Sequence, residues 1–238
     1  MKNEISFKLS GRYALFTDPI TKVGGEKCTY HIPTYEALKG VLKSIYWKPT
    51  LIWHVDKVRV MKSIRTQTKG TKPLVWNGGN SLAIYTFLHD VEYQVKAHFE
   101  WNEHRPELEK DRIDGKHFSI AKRMLEKGGR QDIFLGTRDC QGYVEPCEYG
   151  EGDSPYDDLD ELSFGMMFHG FDYPDETGTE EMHSRFWHAK MQHGEIQFPR
   201  PEDCDHRHFV RNMAAKAFDI DANMTHVEVL ESQLEKPL

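Results

Sequence analysis

Two amphipathic helical segments, each set between strand-like sequences, constrain the fold of this chain more than any other feature. In the first, Thr34 to Ile45, apolar residues recur three and four positions apart, which is the period of a helix with one buried face. The second runs from Asp114 to Lys127, and the glycine pair Gly128-Gly129 ends it as a C-cap. The sequences on either side of these helices therefore decide the architecture.

The flanking sequences predict strands in a definite order. Ile5 to Leu9, continued by RYALF, alternates between apolar and polar residues, and Leu51 to Ile64 is rich in β-branched residues. One or two further strands follow in SLAIYTFLHDVEYQVKAHFEW, and IFLGTRDCQGYVEP reads as the closing strand. The order β-α-β-β-α-β predicts an α+β fold of the ferredoxin-like (RRM-like) type, the architecture of many RNA-recognition domains.

The character of the sequence changes after Pro146. The segment CEYGEGDSPYDDLDEL is acidic and rich in turn residues, and SFGMMFHGFDYP and GEIQFPRP then look like strands, with a weak helix at FVRNMAAKAFDI. We therefore predict two units. Residues 1–147 form the ferredoxin-like domain, and residues 148–238 form a smaller, acidic C-terminal extension built from an antiparallel β-sheet.

The net charge of −7 hides an uneven distribution. Residues 1–130 contain 23 Lys and Arg against 14 Asp and Glu, while the rest of the chain contains 8 against 24. The stretch from Lys39 to Lys72 has nine basic residues and one acid, Asp56, with Tyr46, Trp47 and Trp53 among them. A basic patch interleaved with aromatic residues favours a polyanion with stackable bases. The alternative is a charged face that pairs with the acidic half of the same chain.

Several classes of protein are disfavoured by what the sequence lacks. There is no run of about 18 or more apolar residues, and the first residues, MKNEISFKL, lack the apolar core of a signal peptide. This predicts a soluble cytoplasmic protein with no membrane partner. The four cysteines lie far apart with no C-x-x-C pair, so neither a disulfide framework nor a zinc ribbon is expected.

Histidine is frequent, with 13 residues, so a metal site has to be considered. His183, His188 and His193 are spaced by five, which does not place two ligands on one helical face, and the segment CDHRH does not have the spacing of a zinc site. We expect structural or solvated histidines, and we predict neither a metal nor any other cofactor. The glycine pairs match no nucleotide-binding fingerprint, and no nucleophile elbow is present.

Lys116 and His117 stand at the predicted start of the second helix. A lysine there is unfavourable beside the positive end of the helix dipole unless an anion lies between them, and phosphate binds readily to the free amide groups of a first helical turn. A histidine beside that phosphate can transfer protons near neutral pH. The alternative is a solvated lysine next to an incidental histidine.

An RNA substrate would supply its own nucleophile at such a site. A 2'-hydroxyl can attack the neighbouring phosphate if one group removes its proton, another protonates the departing 5'-oxygen, and a cation stabilises the phosphorane. A histidine, a tyrosine and a lysine suffice for these three tasks, and the basic stretch contains Tyr46.

Four strings of the sequence together resemble one known family. They are ALKGVLKSIYWKPT, GKHFSIAKRM, FLGTRDCQGYVEP and FPRPEDC. The chain is similar over most of its length to the Cas-five family of CRISPR-associated proteins, and in particular to its type I-C (Dvulg) subtype. Proteins of this kind belong to the repeat-associated RNA-binding superfamily, with a ferredoxin-like N-terminal domain and a C-terminal β-sheet extension.

The resemblance implies a metal-independent endoribonuclease. Such an enzyme cleaves the CRISPR precursor RNA at the base of each repeat hairpin and stays on the 5' handle of the mature guide RNA, beside the backbone and large subunits of a type I-C interference complex. The family's catalytic tyrosine and Lys-His pair fall on Tyr46, Lys116 and His117, without a division of the acid and base roles.

Some members of the wider family bind the guide RNA without cutting it, so a non-catalytic subunit that caps the 5' handle is the alternative. A metal-dependent phosphoesterase in the acidic, histidine-rich half is a more distant one. Whether DNA is also bound or cut is left open. Candidate RNA contacts are Lys43, Lys48, Arg59, Arg65 and Arg123.

Overall fold

The structure, a computed structural model, describes residues 3–18, 21–22 and 25–216, and within them the chain forms ten strands and three α-helices. The strands are β1 (Glu4–Ala14), β2 (Leu51–Val60), β3 (Thr66–Thr71), β4 (Ala83–Trp101), β5 (Ile133–Phe134), β6 (Gln141–Pro146), β7 (Leu162–Asp172), β8 (Glu181–Met191), β9 (Glu195–Gln197) and β10 (His206–Asn212). The helices are α1 (Tyr35–Ile45), α2 (Lys116–Glu126) and α3 (Pro174–Thr177), and short 3₁₀ helices span Pro106–Asp111 and Pro201–Asp203.

Seven of the strands form one antiparallel sheet, which we call the main sheet. Its order is β5-β6-β1-β4-β2-β9, and β3 also pairs with β4. The 19-residue strand β4 pairs with β1, β2 and β3, so one strand covers the sequence that predicted one or two. Along the chain, β1, α1, β2, β4, α2 and β6 follow the predicted βαββαβ order, and the α+β class is confirmed.

A second, three-stranded antiparallel sheet has the order β10-β8-β7, and we call it the C-terminal sheet. It confirms the predicted C-terminal β-sheet extension. Helix α1 contacts both β2 and β7, so it lies where the two sheets meet. The short strand β9 belongs to the C-terminal part of the sequence, but it pairs with β2 at the edge of the main sheet. The domain boundary at residue 147 falls just after β6 and stays a prediction.

The two main helices form where the sequence pattern places them. The hydroxyl of Thr34 caps α1 by accepting a hydrogen bond of 3.2 Å from the amide of Ala37, and Leu38, Leu42 and Ile45 are buried along one face. Helix α2 begins two residues later than predicted, after Gly115. None of the helices in the described part of the chain is long and apolar enough to cross a membrane.

The sequence IFLGTRDCQGYVEP forms a hairpin of β5 and β6 rather than a single strand. The amide of Leu135 donates to the carbonyl of Cys140 at 2.8 Å, which closes the turn. Gly136 adopts φ of 91°, and a Cβ at this position would lie 2.1 Å from the carbonyl oxygen of Leu15. A side chain cannot be accommodated there, so this glycine is required both by its conformation and by the close approach of the backbone.

The weak helix predicted at residues 209–220 is wrong in its first part. Residues 209–212 belong to β10, which pairs with β8 from His206↔Phe186 to Asn212↔Glu181. Pairing with a neighbouring strand outweighs a weak helical pattern. The part of the segment beyond residue 216 lies outside the described residues.

Candidate active site

Tyr46 is held at the C-terminal end of α1, where the chain leaves the helix and turns toward β2. Its backbone is extended, its amide donates to the carbonyl of Leu42 at 2.9 Å, and its own carbonyl accepts a bond of 2.7 Å from the indole of Trp53. The residue is only 3% exposed. Two hydrogen bonds therefore hold the backbone of Tyr46, and burial encloses its ring.

His117 lies in the first turn of α2 and is completely buried. Its Nε2 atom is 2.7 Å from the backbone carbonyl of Asp111, which can only accept, so Nε2 carries a proton. In the neutral ring Nδ1 is then the acceptor, and the hydroxyl of Tyr46 donates to it at 2.9 Å. The edge-to-face contact with Trp101, at 5.4 Å between ring centroids, completes the support of the imidazole.

Lys116 comes immediately before His117 and is the exposed member of the group. Its side chain is 41% exposed, and its ammonium contacts the Oδ1 atom of Asp111 at 2.5 Å. The other carboxylate oxygen of Asp111 accepts a bond of 2.7 Å from the hydroxyl of Thr50. Asp111 thus connects Lys116, His117 and the loop that follows Tyr46, so the three predicted catalytic residues belong to one cluster.

Burial and charge act on the protonation of this cluster. Burial raises the pKa of the Tyr46 phenol, and the nearby carboxylate of Asp111 raises it further, so the phenol stays protonated at neutral pH. Burial also works to raise the pKa of Asp111, but the hydrogen bonds from Lys116 and Thr50 outweigh it and the pKa is lowered. A protonated phenol, an ionised carboxylate and an exposed ammonium therefore meet around one histidine.

The start of α2 has no side-chain cap, and the carboxylate of Asp111 contacts its first two residues, Lys116 and His117. The N-cap is Gly115, and the first turn contains no acidic residue. Amide groups at such a helix start favour a bound anion. The cluster consequently combines groups able to transfer protons with groups able to hold a phosphate.

A comparison with known protein families identifies the family of the chain. The family described as CRISPR-associated protein (Cas_Cas5) matches residues 4–199. The chain belongs to the Cas5 family. Two relatives are both named CRISPR pre-crRNA endoribonuclease Cas5d. The one from Mannheimia succiniciproducens is 27% identical over 227 residues, 84% of this chain and 96% of that protein. The one from Thermus thermophilus is 26% identical over 219 residues, 82% of this chain and 91% of that protein.

Two solved structures have a fold similar to that of the chain. A crystal structure of a CRISPR-associated protein has 35% sequence identity and a TM-score of 0.71, and it covers 86% of this chain and 96% of its own. A functionally uncharacterized protein from Streptococcus mutans has 36% identity and a TM-score of 0.69, with the same coverage.

The five candidate RNA contacts of this Cas5 chain occupy different environments. Lys48, Arg65 and Arg123 are exposed, and Arg123 lies in the last turn of α2. Lys43 is partly exposed and contacts Glu176 at 3.3 Å. Arg59 is only 8% exposed. Its guanidinium donates hydrogen bonds within the protein, to two backbone carbonyls and to both carboxylate oxygens of Asp157. We therefore leave Arg59 out of the proposed RNA contacts.

The basic stretch pairs in part with the acidic half of the same chain, as the alternative interpretation of the charges expected. Lys39 and Lys43 both contact Glu176, Lys57 contacts Glu195, and Arg59 contacts Asp157; these four pairs join residues of the two halves. Charges that hold the fold together are thus mixed with charges that face solvent.

Asp111 and Thr50 were not found by sequence reasoning. Asp111 ends the 3₁₀ helix and lies five residues before Lys116, which is not a helical spacing, and Thr50 is distant in sequence. An acid shortly before a Lys-His pair is the one available signal. No group of three or more His, Cys, Asp or Glu side chains in residues 3–18, 21–22 and 25–216 is arranged to hold a metal ion.

Proposed function

We propose that this Cas5 protein is an endoribonuclease that cleaves CRISPR precursor RNA at the base of the repeat hairpin. The observation that carries the proposal is the buried hydrogen bond between Tyr46 and His117, next to an exposed Lys116 at the start of α2. Two relatives that cover most of the chain are named pre-crRNA endoribonucleases, which supports the same reaction class and substrate here.

In the proposed reaction the 2'-hydroxyl of the nucleotide before the cut attacks the adjacent phosphorus. The 2'-oxygen to phosphorus bond forms, the bond from phosphorus to the 5'-oxygen breaks, one proton leaves the 2'-hydroxyl, and one is delivered to the 5'-oxygen. The products are a 2',3'-cyclic phosphate and a 5'-hydroxyl. Tyr46 and His117 form the proton-transfer pair, because the phenol and the imidazole already share a hydrogen bond.

Lys116 stabilises the charge that develops on the phosphate. It is the most exposed of the three side chains, so the RNA phosphate reaches its ammonium first and replaces the carboxylate of Asp111. Asp111 positions the lysine before the substrate arrives, and through its backbone carbonyl it fixes the tautomer of His117. After cleavage, we propose, the protein stays on the 5' handle of the guide RNA within a type I-C interference complex.

The test uses a labelled repeat hairpin in the presence of EDTA, with mapping of both product ends. A single 2'-deoxy substitution at the nucleotide before the cut should abolish cleavage while leaving binding intact, and the same substitution one nucleotide further on serves as the control. Normal cleavage of the first substrate refutes the mechanism. Tight binding with no cleavage of the all-RNA hairpin indicates instead a non-catalytic subunit that caps the guide.

A further inference from the structure

A cavity of about 500 Å³ lies beside the loop that carries Tyr46. The loop supplies Trp47 and Pro49 to its wall, and α3 with the residue before it supplies Tyr173, Asp175 and Glu176. Ligand pockets in proteins commonly measure about 300 to 1,000 Å³. The cavity is therefore large enough for a small ligand, and part of its wall is formed by the loop that follows Tyr46.

The loop links the cavity to the active site. Tyr46 has an extended backbone, so the next side chain along the chain points the opposite way. Tyr46 reaches His117, while Trp47 lines the cavity. Three residues later, Thr50 holds the carboxylate of Asp111. A molecule that contacts the cavity and the cluster at once would touch both sides of the same short loop.

Trp47 presents an unused aromatic face. The residue is 41% exposed, so part of its large ring is in contact with solvent. In the part of the chain that the structure describes, its ring contacts no other aromatic ring and its indole nitrogen makes no hydrogen bond. Exposed aromatic faces of this kind are the stacking platforms on which proteins bind unpaired bases.

The wall of the cavity carries net positive charge, from three basic side chains against two acidic ones. Lys43, Arg105 and Lys216 line it, together with the acids Asp175 and Glu176. Glu176 serves two lysines, because the buried Lys39 also contacts it, and the side chain of Lys43 is 34% exposed with a contact of 3.3 Å. Lys43 is thus the less tightly held of the two ammonium groups.

The acids do not cancel this charge. Asp175 pairs with Arg105 at 2.7 Å and also accepts a bond from the backbone amide of Lys216, so the side chain of Lys216 adds a further cation. The cavity therefore combines an aromatic platform with an excess of positive charge, which suits one unstacked nucleotide and its phosphate.

We propose that this cavity is a nucleotide subsite, in which Trp47 stacks on the base of one nucleotide that flanks the scissile phosphate and Lys43 contacts that nucleotide's phosphate. The proposal rests on the proposed function for its substrate. Its consequence is that the protein selects the cut site partly by capturing an unpaired nucleotide beside the hairpin, in addition to binding the hairpin itself.

The test measures equilibrium binding of a repeat RNA made uncleavable by a 2'-deoxy nucleotide at the cut. A series of RNAs with one abasic position each, on either side of the cut, is titrated against the wild-type protein, Trp47→Ala and Trp47→Phe. At one position the wild type should lose about tenfold in affinity without the base, which corresponds to about 1.4 kcal/mol of stacking. Trp47→Ala should bind intact RNA about tenfold more weakly than the wild type does. For this variant, removal of the base at that position should cause no additional loss of affinity. Trp47→Phe should recover most of the affinity.

Phe209→Ala is the matched control, because it removes an aromatic side chain that is 57% exposed and lies on the C-terminal sheet. It should leave the whole series unchanged. The proposal is overturned if Trp47→Ala binds intact RNA as the wild type does, or if every abasic loss adds to the loss from Trp47→Ala. Because this experiment measures binding, a wild-type protein that does not cleave RNA refutes the proposed enzyme but not the subsite. Normal cleavage refutes the subsite alone if the effects of Trp47→Ala and of the missing base are independent.

Discussion

The exchange Tyr46→Phe isolates the hydroxyl that donates to His117. The phenylalanine ring fills the same buried space, so no cavity opens, whereas alanine here would remove a core side chain and cost about 3 to 5 kcal/mol for that reason alone. The Nδ1 atom of His117 loses its donor and stays buried, since the histidine is fully enclosed. A buried polar atom left without a partner costs about 1 to 3 kcal/mol. We expect a loss of about 2 kcal/mol in the free energy of unfolding.

Two measurements on the same variant separate structure from chemistry. With a urea m value of about 3 kcal/mol/M, the unfolding midpoint of Tyr46→Phe should fall by about 0.7 M. The single-turnover cleavage rate of a repeat hairpin should fall by about a hundredfold or more, because the hydroxyl acts in proton transfer. Hairpin affinity should stay within about twofold of the wild type, since the hydroxyl stabilises the transition state and not the bound ground state.

Tyr143→Phe is the control, because Tyr143 is 59% exposed and its hydroxyl makes no hydrogen bond among the described residues. It should change neither the midpoint nor the rate. Cleavage by Tyr46→Phe at close to the wild-type rate would refute the role of the hydroxyl in the reaction. An unchanged midpoint would show that the bond to His117 contributes nothing to the folded state in solution.

Three further changes test other parts of the molecule. Gly136→Ala should lower the free energy of unfolding by about 3 kcal/mol or more, measured in urea, because its Cβ would meet the Leu15 carbonyl; Gly150→Ala, with φ of 94° and open space around it, should cost only about 1 kcal/mol, and equal losses would contradict the clash. Burial and nearby Arg185 lower the pKa of His169 to about 3, so between pH 6.5 and 3 the unfolded chain binds a proton that the folded chain does not. Through this residue the free energy of unfolding should fall by about 2 kcal/mol from pH 6.5 to 5. His169→Gln should lack this part of the pH dependence. The same pH dependence in both proteins would refute the assignment to His169. Lys43→Ala should reduce the slope of log affinity against log salt by about 0.7 for single-stranded RNA, and an unchanged slope would remove Lys43 from the RNA contacts.

Local patterns predicted the elements that local forces determine. The three-four spacing and the Thr34 cap defined α1 almost to the residue. Strand β8 was not predicted, because its buried and exposed positions do not follow an alternation of apolar and polar residues. Its inward-facing Arg185 is charged and pairs with the buried Asp172, while Phe186, which faces the other way, is apolar. A charge that is buried by a partner distant in sequence cannot be recognised from periodicity alone.

The candidate site shows the same limit. Tyr46 and His117 are 71 residues apart, and their hydrogen bond depends on how α1 and α2 pack. The residues themselves suggested Lys116, His117 and Tyr46. The family resemblance then assigned the catalytic trio to the same positions, and this role stays a prediction. Neither the sequence pattern nor the family resemblance identified Asp111. Its contacts depend on the end of a 3₁₀ helix, which places the carboxylate beside Thr50 and Lys116.

The pairing of β9 with β2 has a consequence for how the protein is made on the ribosome. Lys57 to Arg59 lie at the edge of the main sheet until Glu195–Gln197 emerge, and Lys39 has no counter-charge until Glu176 follows. At a synthesis rate of about 5 to 20 residues per second, the nascent chain carries an open strand edge for on the order of ten seconds. Fragments that end early keep that edge exposed, and we expect them to aggregate or be degraded.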